Sequence, residues 1–456
     1  MTTSDQALFS RPVLAILMVV VTLLIWILNA TAPESRFSQP IMNQWQTPSK
    51  IPVTWLDQSI WQGTNKLEVR IRFNHGRSDD VKLGLTDALF SLLLLDTLPL
   101  STSSINKRLE STTAKVNYHV SEDNSELAIT LNTDSPYLNS SLSILTSWLA
   151  TPIFKQRTFI NWQKTDNSSL QMEKRQLVQH LFPVTSQPTM SQTLSQNKNG
   201  SHIIGLGDIN AHYQFIQNKV DKVTLVGHIP EPDALKAQLN TLLMPFHPSS
   251  EDRHITVAKN TALHTQIGET LTQSHGAIAF DDLEQVTDWI SLQIWLRHLA
   301  SKLHNSPITA YSQLHLERSN LRQWAWWSTQ HEQTLLQDDI LIESKVDDKD
   351  EPKKHAVKQD RYAAKDILET SLHSITAAEF DHLLEGLKDR IARQSKSPTW
   401  WARIASQETP DQQPLNVTRW LENYAAELES MNLEKYQQSI QKIVLVDSYQ
   451  EIQIRE

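Results

Sequence analysis

From Val13 to Leu28 a single threonine interrupts an otherwise apolar run, VLAILMVVVTLLIWIL. With Pro12 before it and Asn29-Ala30 after it, the span reaches about 19 residues. A helix rising about 1.5 Å per residue then nearly crosses a hydrocarbon core of about 30 Å. Trp26 sits near one end, where an amphipathic ring suits the interface, and Arg11 is the nearby charge on the N-terminal side. The pattern predicts a transmembrane signal-anchor helix over 12–30, a cytoplasmic N-terminus over 1–11, and everything after it outside. A cleaved signal peptide is the competing reading, since Ala30-Thr31-Ala32 has the small-x-small form of a cleavage site. Pro33 just past that cut and the length of the apolar run favour the anchor.

Beyond the anchor, 31–50 is polar with Pro33, Pro40 and Pro48 and no period, and reads as a tether. Leu67, Val69, Ile71 and Phe73 then alternate with charged residues, as in a half-buried strand. A Leu-rich stretch, Leu83–Leu95, predicts a buried helix and Ser101–Glu110 a polar one. Lys115–Val120 and Glu126–Leu131 predict paired strands. Pro136–Leu149 and Thr158–Leu181 predict helices, Lys222–Gly227 a buried strand, and Pro232–Leu243 a helix. The polar segment around His247–Asp252 is a linker by composition. A similar order follows: a strand at Gly276–Phe280, a helix at Val286–His304, a hairpin of Trp324–Ser328 with Ile340–Val346, helices at Ala363–Arg393 and Leu415–Glu429, and a last buried strand at Ile443–Val446. The acidic and basic stretch 344–359 reads as a solvated loop. The domain plan is 51–247, a linker at 248–257, and 258–456, an α+β architecture in duplicate.

Composition narrows the function. Lys and Arg total 42 against 51 Asp and Glu, a formal charge of -9, which argues against a nucleic-acid binder. The chain has no cysteine, so disulfides, thiolate nucleophiles, Cys-ligated metals and a lipoprotein anchor are excluded. Only 10 glycines in 456 residues leave little room for a Gly-rich phosphate-cradling fold.

The segment FNHGRSDDVKLGLTDALFSLLLLDT resembles the opening of the M16 (pitrilysin, insulinase-like) metallopeptidases, in which a strand and a Gly-containing turn lead into a helix carrying the inverted zinc motif His-x-x-Glu-His. WLATPIFKQRTF, LGDINAHYQFIQNKVDKVTLVGHIPEPDALKAQLNTLL and LHLERSNLRQWAWWS resemble later stretches of the family in the same order. The resemblance implies two similar LuxS/M16 metallohydrolase-like domains, with antiparallel sheets and helices packed on one face, after the N-terminal transmembrane helix.

The zinc motif does not survive. Asp87 stands where the first His would be, Phe90 replaces the catalytic Glu, and Ser91 replaces the second His. Zinc chemistry needs about three protein ligands, an open position for water and a carboxylate as base. The family's further Glu ligand falls near Asp166 and Glu173, and neither restores a site without the histidines. In the second half, where the family uses an Arg and a Tyr to hold substrate, Glu317 or Arg318 falls at the Arg position and Trp326 at the Tyr position. Arg318 and Trp326 are therefore the substrate-contact candidates, and Trp326 lacks the hydroxyl for oxyanion stabilisation.

Other patterns carry little chemistry. His298 and His304 do not share a helix face, and His264 and His275 lack a chelating spacing. His315 and Glu317 can share one face of a strand. Trp324, Trp326 and Trp327 suit an aromatic platform or, more simply, packing between layers, as do Trp400 and Trp401. No Gly-x-Ser-x-Gly occurs.

The resulting expectation is a catalytically inactive M16-like subunit, single-pass in a bacterial inner membrane with its body in the periplasm. It holds no catalytic residue, metal or cofactor of its own; zinc is expected only in a partner M16 peptidase, with which it forms a peptide-binding chamber for a peptide or unfolded protein. No nucleic acid is involved. A non-proteolytic scaffold or assembly factor using the same fold is the alternative, and a zinc peptidase with an unrecognised site is another.

Overall fold

The computed structural model describes Met18 and residues 40–82, 84–165, 170–183, 204–249, 256–265, 268, 270–283, 285–307, 309–317, 323–334, 362–406 and 417–456. Its contacts divide the chain into Met1–Ser38 and Gln39–Glu456. Apart from Met18, the expected membrane helix lies outside the described residues, and among the described residues no helix is long and apolar enough to cross a membrane.

Gln39–Glu456 contains two sheets. The first joins β1 (Ile41–Gln46), β2 (Pro52–Asp57), β3 (Lys66–Phe73), β4 (Lys115–Val120), β5 (Ser125–Asn132) and β6 (Val220–Val226) in the order β1-β2-β6-β3-β5-β4. The second joins β7 (Ala262–Thr265), β8 (Leu271–Ala279), β9 (Thr309–Glu317), β10 (Trp324–Thr334) and β11 (Gln450–Arg455) in the order β7-β11-β8-β10-β9. With β1 set aside, the two sheets have one topology. In each, the strand that comes first in the chain pairs parallel with the last, and the remaining neighbours are antiparallel. The duplication expected from the order of elements is visible in this shared strand order.

Helices α1 (Leu85–Leu94), α2 (Ile105–Leu109), α3 (Ser135–Ala150), α4 (Gln156–Thr165), α5 (Leu170–Leu181), α6 (Leu206–Ile216) and α7 (Pro232–Leu242) belong to the first half of the chain. The second half adds α8 (Val286–His304), α9 (Lys365–His373), α10 (Ala377–Gln394), α11 (Pro398–Ser406), α12 (Val417–Ser430) and α13 (Leu433–Ile443). Local chemistry sets several boundaries. Thr376 caps α10 by accepting from the Glu379 amide at 3.2 Å, while the Glu379 carboxylate accepts from the Thr376 amide at 3.0 Å. Asn132 and Asp134 open the turn into α3, with Pro136 in its first turn, where a missing amide proton costs nothing.

Four expectations change. The tether contains β1, paired antiparallel with β2. The single helix expected over Ala363–Arg393 is two, because Ser374 closes α9 and Thr376 starts α10. The run Ile443–Val446 is not a strand: Ile440 and Ile443 are core anchors of α13, and the closing strand is β11. The proposed hairpin partner Ile340–Val346 lies outside the described residues, and β10 pairs instead with β8 and β9.

The alternation in β3 also works differently from the half-buried strand it suggested. Leu67, Val69, Ile71 and Phe73 enter the core, yet Glu68, Arg70 and Arg72 on the opposite face are only 2, 8 and 2% exposed. Helix α11, from the far end of the chain, covers that face of β3 and β6. Most of these charges find partners beneath it, while Arg70 Nε and Arg72 Nε and Nη2 make no hydrogen bond. Arg70 pairs with Glu126, Arg72 donates to the Ser406 carbonyl, and Glu68 accepts from Thr130 at 3.0 Å and Thr399 at 2.9 Å. A reciprocal loan runs the other way. Leu177, Val178 and Leu181 of α5 pack in one core with Ala277, Ala279, Trp324 and Ile452 of the second sheet. Each half therefore supplies a helix to the other's sheet, across the boundary expected at 248–257.

Candidate functional site

After β3 the chain turns at Gly76. A Cβ there would lie 2.4 Å from the Asp123 amide nitrogen and the Glu122 carbonyl carbon, so only glycine allows the 121–124 turn to sit this close. That contact fixes the next two residues: the Arg77 amide donates to the Ser121 carbonyl at 3.0 Å, and the Ser78 amide to the Glu122 carbonyl at 2.8 Å. Gly84, at φ 78°, then leads into α1, which presents Asp87 in its first turn and Phe90 one turn later.

Asp87, Phe90 and Ser91 are each engaged by neighbouring side chains or buried against them. Arg77 grips Asp87 with both ends of its fork: Nε donates to Oδ2 at 2.7 Å and Nη2 to Oδ1 at 2.9 Å. Phe90 is 1% exposed and lies against Phe73 and Tyr118, with ring centroids 5.7 and 6.1 Å away. Ser91 is half-buried beside it.

Around this pair the two halves of the chain meet in a cluster of charge. Glu122 Oε1 stands 3.6 Å from Arg77 Nη1. Burial pushes the Glu122 carboxyl up, against the pull of Arg77, Lys174 and Arg175. Burial would lower the Arg77 guanidinium, but the Asp87 hydrogen bond and the charges of Asp87, Glu122 and Glu317 raise it. From α5, Lys174 Nζ donates to Glu317 Oε1 at 2.6 Å and lies over the rings of Trp324 and Trp326, 5.6 and 5.3 Å from their centroids. Trp326 Nε1 donates to the same Glu317 oxygen at 2.9 Å, and His315 stacks on Trp326 at 4.6 Å. Burial would raise the Glu317 carboxyl; the charge and hydrogen bond of Lys174, the Trp326 hydrogen bond and His119 bring it below the usual range. Edge strands β4 and β9 carry His119 and Glu317 to this same place.

The structure thus brings together Asp87, Glu317 and Trp326, which sequence reading had singled out separately. Arg318 and Asp166 lie outside the described residues. Glu173 faces the second sheet, where its charge acts on His275. His315 and Glu317 do share a face, both meeting Trp326. His298 is buried in α8, His304 is exposed at its end, and His264 stacks on His180 at 3.7 Å. Sequence reading missed Arg77, Glu122, Lys174 and Arg175. Arg77 and Asp87 are close enough in sequence to have suggested a pair; the others come from a turn and a crossing helix whose placement is tertiary.

No protein-family model and no curated protein matches this sequence. Solved structures do. The chain is similar to a peptidase M16 inactive domain from Pseudomonas fluorescens, with 12% identity over 91% of this chain and 98% of that one, at a TM-score of 0.64. It is similar to a protease from Helicobacter pylori, with 14% identity over 92% of this chain and 100% of that one, at a TM-score of 0.66. It also resembles the periplasmic protease PqqL from Escherichia coli, at 13% identity and a TM-score of 0.62, covering 92% of this chain but 46% of PqqL. The fold of this chain is that of the M16 peptidase-like proteins, and in it Asp87 is held in a guanidinium–carboxylate pair and Phe90 is a buried aromatic ring.

Proposed function

We propose that this chain is a catalytically inactive M16-like subunit. In this reading it is anchored in a bacterial inner membrane with its body in the periplasm. It pairs with a zinc-bearing M16 peptidase, and the two form a chamber that holds a peptide or unfolded chain while the partner cuts it. The observation that carries the reading is the state of α1: Asp87 has both oxygens engaged by Arg77, and Phe90 fills an aromatic cluster where a general base would stand. Neither is available to a metal or a water. Two further facts support the pairing. A neighbour of the same fold is described as an inactive domain, and PqqL is about twice as long as the part this chain matches. The anchor rests on the apolar run 13–28.

The chain's own contribution is binding. Strands β4 and β9 end their sheets and flank the charge cluster. An extended peptide adds to such an edge through main-chain hydrogen bonds, which are indifferent to sequence, and side-chain pockets then select among peptides. Glu317, Lys174 and Trp326 supply charge and an aromatic face beside that edge.

The test is a pull-down of the tagged full chain from native membranes in mild detergent, with every copurifying chain identified. A stoichiometric partner carrying His-x-x-Glu-His is expected. An assembly complex without a metallopeptidase, or the chain alone, overturns the pairing and favours the scaffold reading.

A further inference from the structure

A second buried cluster lies beside the site above. His75 follows β3, Asp80 lies in the loop before α1, and His212 is in the middle of α6. Each offers one ligand atom, and these atoms all lie within 4.8 Å of one another. Asp80 Oδ1 stands 3.7 Å from His75 Nε2 and 3.9 Å from His212 Nε2. The three side chains are 5, 1 and 7% exposed. His75 Nε2 is buried and makes no hydrogen bond. A buried ring nitrogen left in this state is costly unless something else engages it. Phe215 closes one side, edge-on to His75 at 5.2 Å and stacked with His212 at 5.9 Å.

The spacing suits a small ion. Zinc held tetrahedrally by bonds of about 2.0–2.1 Å keeps its donors about 3.3 Å apart. The two Asp–His separations exceed that by well under 1 Å, and the His–His separation lies within 4.8 Å. Two imidazoles and one carboxylate are a borderline donor set that favours zinc over calcium or magnesium, and three ligands leave a fourth position. The Thr86 hydroxyl donates to Asp80 Oδ1 and lies 2.9 Å from His212 Nε2. When His212 turns its lone pair to a metal, Thr86 still holds the carboxylate, as outer partners of metal ligands do.

We propose that His75, Asp80 and His212 form a zinc-class divalent metal site, separate from Asp87, Phe90 and Ser91. It ties the end of β3 and the entry to α1 to helix α6, and it stands whether or not the chain has a peptidase partner.

The test uses the full chain, purified in detergent with a tag that contains no histidine, stripped with chelator, and titrated with zinc chloride by calorimetry and with Co2+ by visible absorption. One equivalent with a tetrahedral Co2+ spectrum is expected. His75→Gln and Asp80→Asn should each weaken binding about tenfold or more. His304→Gln, at an exposed position, should leave it unchanged. Melting of each metal-free variant confirms folding, and Asp80→Asn keeps an acceptor for Thr86 if the histidine variant does not fold. Absence of a bound equivalent, or unchanged affinity in a folded Asp80→Asn, overturns the site and leaves a hydrogen-bonded polar cluster.

Discussion

Arg77 and Asp87 are joined by two near-parallel hydrogen bonds of 2.7 and 2.9 Å, with 15 and 17% of their side chains exposed. A fork-to-carboxylate bond of this kind does in α1 what a metal would do elsewhere: it neutralises a carboxylate in a poorly solvated place and pins the helix to the turn before it. Removing one partner strands the other's charge. Asp87→Ala is expected to destabilise the chain by about 3 kcal/mol, read as a shift in the urea midpoint. Arg77→Ala should cost a comparable amount, and the double variant less than the sum.

Restoring the motif letters should not restore chemistry. In Asp87→His/Phe90→Glu/Ser91→His the pair with Arg77 is lost, and a carboxylate replaces a ring that is 1% exposed between Phe73 and Tyr118. The expected outcome is a less stable chain, by several kcal/mol, without zinc-dependent cleavage of a quenched peptide. Zinc-dependent turnover in this variant would contradict the account of the site.

Acid should loosen the contact between the halves. Glu317 has a carboxyl held below its ordinary value by Lys174 and Trp326, despite burial. A depressed folded value means the ionised form is favoured in the native state. Its contribution is present above the unfolded value and is lost as pH falls through the folded one, below the ordinary Glu range. Glu317→Gln should cost about 2 kcal/mol at neutral pH and flatten the acid limb of a stability–pH profile measured by urea unfolding.

The halves should not fold alone. Residues 39–247 lack α11, leaving Glu68, Arg70 and Arg72 of β3 uncovered, and residues 256–456 lack α5 and its Leu177, Val178 and Leu181. Each half expressed separately is expected to show weak, non-cooperative thermal unfolding by circular dichroism, and coexpression to recover one cooperative transition.

Gly276 is a packing position. A Cβ there would lie 2.4–2.6 Å from ring atoms of Trp327, which is fully buried. Gly276→Ala should destabilise by about 1–3 kcal/mol, seen as a lowered thermal midpoint, because the ring has nowhere to move.

Much of this was legible in one dimension. Period-two and helical apolar patterns placed β3, β4, β5, β6, α3, α7 and α8 close to where they lie, since those elements meet their core through local alternation. The order of elements exposed the duplication. That the sequence contains no His-x-x-Glu-His is a fact of residue identity and needed no coordinates. The helix from Ala363 to Arg393 was read as unbroken because propensity does not register a cap as short as Ser374–Thr376.

Only the tertiary structure decided what surrounds those residues. The charged face of β3 looked solvent-bound, yet a helix more than three hundred residues away covers it, and no local pattern encodes its arrival. Lys174 meets Glu317 because α5 crosses to the second sheet, and Glu122 meets Arg77 because the turns after β3 and β4 close on each other within the first sheet. His212 reaches His75 and Asp80 because α6 packs against α1. Sequence by itself determined which side-chain types stand at Asp87, Phe90 and Ser91, since that is residue identity alone. Where charges and donors converge depends on distances that only a folded chain sets.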